Sequence, residues 1–101
     1  MSKPKTGHFL SLKQLDEVAL CFKSLGEPMR LRILQAVCKK PRSVNEIVGE
    51  VGAGQANVSK HLSLLAAAGI LTREKKGQRV YYGMKDKLVI KLCSVVQEHL
   101  S

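Results

Sequence analysis

The residues whose types and spacing suggest chemistry lie on a stretch that begins near Gln55 and has the period of a helix. Val58, Leu62 and Leu65 recur at four- and three-residue steps and mark an inward stripe. At about 100° per residue, Ala56, Lys60 and Ser63 fall opposite that stripe, flanked by Asn57 and Ser59. This face is small, polar and cationic, with no carboxylate to repel a phosphate, and it suits a helix that enters a DNA major groove. An ordinary solvated helix face would read the same way, so the surrounding elements must decide between the two. The three histidines, His8, His61 and His99, fall on different segments. No paired carboxylates, nucleophile elbow, phosphate loop or ligand-rich metal motif is present, so no enzyme, cofactor or metal site is expected.

The flanking elements favour a reading role. Upstream, Val44, Ile47, Val48 and Val51 make a short amphipathic helix, with Ser43 as N-cap and Glu46 completing a capping box. Gly52 stops that helix, Ala53 and Gly54 make the turn, and the pair reads as a helix-turn-helix. Gly69 stands where the second helix needs a positive φ to end. Downstream the period becomes strand-like: residues 70–75 and 79–84 are rich in Ile, Thr, Val and Tyr, separated by Lys76, Gly77 and Gln78. That predicts a β-hairpin whose tip and shoulders hold Arg73, Lys75, Lys76 and Arg79 against Glu74 alone. Such a wing lies along the sugar-phosphate backbone or probes the minor groove, although lysines on a hairpin also serve simply to deter edge pairing.

The whole chain is consistent with one domain of 101 residues whose formal net charge of +9 favours a polyanionic partner. No apolar run approaches the ~20 residues of a membrane span, and MSKPKTGHF has no apolar core for a signal peptide, so no membrane partner and a cytoplasmic location are expected. Residues 1–9 read as a flexible basic arm and residues 10–101 as the folded domain. A first helix runs from Leu10 or Ser11 to about Leu25, and a second, central helix from Pro28 to about Cys38. Lys39 to Arg42 form a basic connector. Lys85 to Leu100 make a last helix whose apolar face is wide enough for a subunit interface as well as a core contact. The fold class is therefore mainly α with a small β-hairpin: a winged helix-turn-helix of four helices, two strands and a fifth helix. Cys21, Cys38 and Cys93 are widely spaced without a C-x-x-C pair, which argues against a disulfide framework.

Three segments carry a family resemblance over nearly the whole chain. LGEPMRLRILQAV is similar to the second-helix signature of the ArsR/SmtB-type repressors, VSKHLSLLAAAGIL to their reading-helix pattern, and GQRVYYGM to their wing. The resemblance implies a homodimeric repressor that binds double-stranded DNA at an inverted-repeat operator and is released by an inducer. It also implies that Gln55, Asn57, Ser59, Lys60 and His61 are reading-helix positions, with Gln78 and Arg79 in the wing, where the charged hairpin tip adds Lys76 as a DNA contact. Gln55 and Asn57 suit base edges, and Ser59 and Lys60 suit phosphates or bases. His61 falls nearer the buried edge and is equally readable as a packing residue. Gly54 stands where relatives often place a serine or threonine cap.

The sensor sites of that family are poorly matched. Ser43 and Asn45 occupy the positions of a third-helix thiolate pair, and Leu88 replaces a histidine in a last-helix zinc pattern of which Asp86 and His99 remain. Gln35 and Ser101 stand where a redox variant has cysteines. Cys21, Cys38 and Cys93 are left as a candidate thiol sensor, with Cys21 and Cys93 on the two helices expected to meet at a dimer interface; buried inert thiols are the plainer alternative. A winged-helix module that docks proteins, without sequence-specific DNA binding, is the competing function. The shortage of aromatic residues speaks against it.

Overall fold

A computed structural model describes residues 9–101; the basic arm expected over residues 1–9 falls, Phe9 apart, outside the described residues. The first helix, α1 (Leu12–Leu25), begins with a capping box in which Ser11 Oγ accepts from the Gln14 N–H and Gln14 Oε1 accepts from the Ser11 N–H. In α2 (Pro28–Val37), Glu27 is the N-cap and its Oε1 accepts from the Met29 N–H, while Pro28 occupies a first-turn position that lacks a backbone partner in any helix. Ile33, Leu34, Ala36 and Val37 are buried, Arg32 and Gln35 are exposed, and α2 touches α1 and most of the other elements of the domain.

The basic connector expected over Lys39–Arg42 ends one residue earlier, at Pro41. Arg42 and Ser43 form a short strand, β1, which pairs antiparallel with the wing: Arg42 lies opposite Tyr82 and Ser43 opposite Tyr81. A two-residue strand has no period to detect. The sheet is thus three-stranded, in the order β1-β3-β2, with β2 (Leu71–Lys76) and β3 (Arg79–Met84) forming the hairpin.

Ser43 then serves a second role as N-cap of α3 (Val44–Val51). Its N–H donates to Glu46 Oε1 at 2.9 Å and its Oγ accepts from the Glu46 N–H at 3.3 Å. The bond from the Ser43 N–H, the largest cause, and then the Ser43 hydroxyl stabilise the ionised carboxylate and hold Glu46 below the ordinary carboxyl range. Gly52, at φ 69°, ends α3 in the left-handed region. The second helix of the motif, α4, spans Gln55–Ala67. Beyond it, the Gly69 N–H donates to Ala66 O and the Ile70 N–H to Leu65 O, a paired closure made possible by Gly69 at φ 77°. Leu65 and Ile70 are both buried, so an apolar contact accompanies the turn.

The last helix, α5 (Leu88–Leu100), starts three residues later than the periodicity suggested. The Lys85 N–H instead donates to Ile70 O, and Asp86 Oδ1 caps the Leu88 N–H. The core gathers Ile33, Leu34, Val37, Ile47, Val58, Leu62 and Leu65, all essentially without solvent contact. Each such side chain contributes roughly 1.5–3 kcal/mol by burial. Among the described residues, no helix is long and apolar enough to cross a membrane. Leu12, Leu15 and Phe22 on α1, and Leu88, Val95, Val96 and Leu100 on α5, remain exposed.

Candidate nucleic-acid interface

Helix α4 is held by its buried stripe. Val58, Leu62 and Leu65 are each 0% exposed, which fixes the rotation of the helix about its axis and turns the opposite residues to solvent. Gln55, Asn57 and Lys60 are exposed there, while Ser59 is half-buried. His61 departs from the expected reading set: it is 9% exposed and faces α2. Its Nδ1 accepts from Arg30 Nε at 3.1 Å, and its Nε2 lies 3.3 Å from Glu27 Oε2. An imidazole that accepts at Nδ1 carries its proton on Nε2 and donates it to the carboxylate, so both nitrogens are committed inside the protein. Gly54 makes no side-chain cap, which leaves the first N–H groups of α4 without an oxygen from its own N-cap.

The wing presents its charge through strand register. Lys76 lies opposite Arg79, and Glu74 opposite Tyr81, on one face of the hairpin; Arg73 and Lys75 alternate onto the other. The connecting turn has Gly77 at φ 64° followed by Gln78, the arrangement of a tight II′ hairpin in which the first central residue needs glycine. Like charges directly opposite one another repel, and Lys76 with Arg79 therefore form a tip that is relieved by an anion. The neighbouring carboxylate does little to offset them: Lys76 Nζ and Glu74 Oε1 are 4.0 Å apart and both side chains are about two-thirds exposed. Lys76 Nζ also sits 5.9 Å from the centre of the Tyr81 ring. Lys76, Gln78 and Arg79 are all exposed.

The cysteines separate into two environments. Cys38 and Cys93, both exposed, line one groove of about 680 Å³ between α2 and α5, together with Leu31, Leu34, Val89 and Gln97. Cys21 is half-buried against the core and does not line that groove. Within one protomer it is Cys38, and not the Cys21 that the sequence set beside Cys93, that shares this groove with Cys93. Asp86 is used as a cap, and among the described residues no group of three or more His, Cys, Asp or Glu side chains is placed to hold a metal ion. Sequence reasoning missed Glu27 and Arg30 as partners of α4; the Arg30 position inside the LGEPMRLRIL segment was their one available signal.

Residues 27–73, from the N-cap of α2 to the start of the wing, match the profile described as bacterial regulatory protein, arsR family. The chain is 29% identical over 91 residues to a transcriptional repressor SmtB homolog of Synechocystis, covering 90% of this chain and 69% of that protein. It is 31% identical over 88 residues to an uncharacterized HTH-type transcriptional regulator of Methanocaldococcus jannaschii, covering 86% of this chain and 99% of that one. The matches span from 53% to 69% of the length of the first curated relatives. In three dimensions it resembles a homodimeric winged helix-turn-helix DNA-binding domain of Mycobacterium bovis, with a TM-score of 0.79 at 27% identity, over 99% of this chain and 90% of that one. The chain belongs to the ArsR family of bacterial regulatory proteins, and its α3–α4 pair with the β2–β3 hairpin is the winged helix-turn-helix of that family.

Proposed function

We propose that this protein is a cytoplasmic, homodimeric transcriptional repressor that reads an inverted-repeat operator. The observation that carries the reading is the pairing of a carboxylate-free outer face on α4 with a wing tip where Lys76 opposes Arg79. In this reading Gln55 and Asn57 contact base edges, Ser59 and Lys60 contact bases or phosphate, and Lys76, Gln78 and Arg79 hold the backbone. The exposed apolar residues of α1 and α5 support dimerisation, because stripes of that size on a small domain favour burial against a second copy. A two-fold dimer sets two α4 helices about one DNA turn apart. His61 leaves the contact set and acts from behind the helix.

Release by thiol chemistry is supported by the groove that Cys38 and Cys93 share. Joining the two thiols transfers two electrons and two protons to an oxidant such as an inorganic polysulfide, and draws α2 and α5 together. The binding reading is tested by fluorescence anisotropy on the inverted repeat upstream of the gene and on a scrambled duplex, each over a salt series. Tighter binding to the repeat, falling steeply with salt, supports it. Equal affinity for both duplexes turns the protein into a nonspecific binder, and no affinity for either favours a protein-docking module.

A further inference from the structure

The side chain of Arg30 joins three helices. From its place on α2 it donates Nε–H to His61 Nδ1 on α4 at 3.1 Å, and Nη1 to the Ser24 carbonyl at 3.2 Å and the Lys23 carbonyl at 3.5 Å in the last turn of α1. Both carbonyls lie at the end of the helix, where the dipole favours a cation, and the Lys23 carbonyl also accepts from the Gly26 N–H. Glu27 completes the arrangement: one carboxylate oxygen caps α2 at the Met29 N–H and the other receives His61 Nε2–H. Helix α1 packs chiefly against α2, so its polar tie to α4 runs through Arg30. His61 is the one buried polar side chain of α4, and Asn57 lies one helical turn before it on the same side of the helix.

We propose that Glu27, Arg30 and His61 form a clasp that positions α4 for DNA, setting its angle against α1 and hence against the partner subunit. The inference rests on the DNA-reading function proposed above. The physical reason is directional. The buried stripe of Val58, Leu62 and Leu65 resists rotation of α4 about its axis, but apolar packing tolerates small slides and tilts. Bonds made to both ring nitrogens of one side chain require the ring to sit at a single place and in a single tautomer. A tilt about this point displaces Asn57 and Lys60 at the exposed side while leaving the core filled. Guanidinium geometry matters because one planar group must serve a ring nitrogen and two carbonyls together, which a lysine ammonium in the same place does not do.

The test uses the intact dimeric protein with Arg30→Lys, His61→Asn and the double variant. Imidazole nitrogen spectroscopy on the wild type reads the tautomer; a proton on Nε2 with bare Nδ1 is expected, and the opposite tautomer overturns the clasp. Affinity is then measured on the operator and on a scrambled duplex, at a temperature where thermal melting shows each variant folded. Each single variant is expected to lose about tenfold on the operator and little on the scrambled duplex, and the double variant to lose no more than the worse single one, as coupled neighbours do. Unchanged operator affinity in folded Arg30→Lys, or losses that add, overturns the positioning role. Should His61→Asn fail to fold, Arg30→Lys alone carries the test. A wild type that does not distinguish the duplexes, yet keeps the expected tautomer, overturns the DNA-reading premise instead of the clasp geometry.

Discussion

Pro41 rests against Gly83. A methyl group built on Gly83 would stand 3.0 Å from Pro41 Cγ, 3.3 Å from Pro41 Cβ and 3.3 Å from Thr72 Oγ1, so the residue before β1 and the end of the wing fit together only without a side chain at position 83. Thr72 Oγ1 also donates to Gly83 O at this point. Gly83→Ala is expected to destabilise the fold by about 1–3 kcal/mol through overpacking. Thermal unfolding checks this, and Pro41→Ala in the same chain should recover part of the loss by making room.

The reciprocal bonds between Ser43 and Glu46 predict an acid-sensitive start to α3. The folded protein holds the Glu46 carboxyl below its ordinary value, so its stabilisation is fully present above the unfolded carboxylate range, about pH 4.3, and is lost as pH falls through the lower folded value. Melting temperatures of the wild type and Glu46→Gln should therefore differ at neutral pH and converge as pH falls through the lowered folded value. A gap that persists at acid pH would show that the carboxylate charge is not what matters.

Lys76 and Asn57 should divide the work of binding. Lys76→Ala is expected to weaken binding to all duplexes alike and to reduce the slope of log affinity against log salt by roughly one. Asn57→Ala should leave the slope nearly unchanged and lose about 1–3 kcal/mol of preference between the operator and base-substituted versions. Salt-series anisotropy on both variants distinguishes the roles, and the reverse pattern refutes their assignment.

Cys38 and Cys93 should respond to oxidants together. Polysulfide treatment of the wild type is expected to lower operator affinity, Cys38→Ser and Cys93→Ser should each abolish the response, and Cys21→Ser should leave it intact. Mass spectrometry of the treated protein checks for a Cys38–Cys93 linkage. Full response in Cys93→Ser would remove that groove from the regulation.

Local signals made most of this fold readable. Ser43 with Glu46, Gly52, Gly69 and the hairpin around Gly77 each solve a backbone problem within a few residues, so their spacing announces helix ends and a turn. The phase of Val58, Leu62 and Leu65 sorted the exposed face of α4 for the same reason. β1 escaped detection because two residues carry no alternation and its partner Tyr82 is far along the chain. The contact of Arg30 with His61 bridges 31 residues and depends on how α2 and α4 cross, which periodicity does not encode. Helical phase placed His61 near the buried edge, but only the fold identifies the groups it meets. That Cys38 and Cys93 line one groove was hidden likewise, since it depends on where α5 lies against α2.

The closed turn at Gly69 links α4 to β2 with no slack: Leu65 and Ile70 are buried on either side of it, and the Ile70 carbonyl is also held by the Lys85 N–H. Helix and wing therefore approach a duplex as two arms of a chelating ligand. Once one arm is seated, the other is already confined within its bonding distance, at an effective concentration that a loosely tethered wing would not reach. Lengthening that turn by a flexible residue would leave each contact chemically possible and make their simultaneous engagement rare.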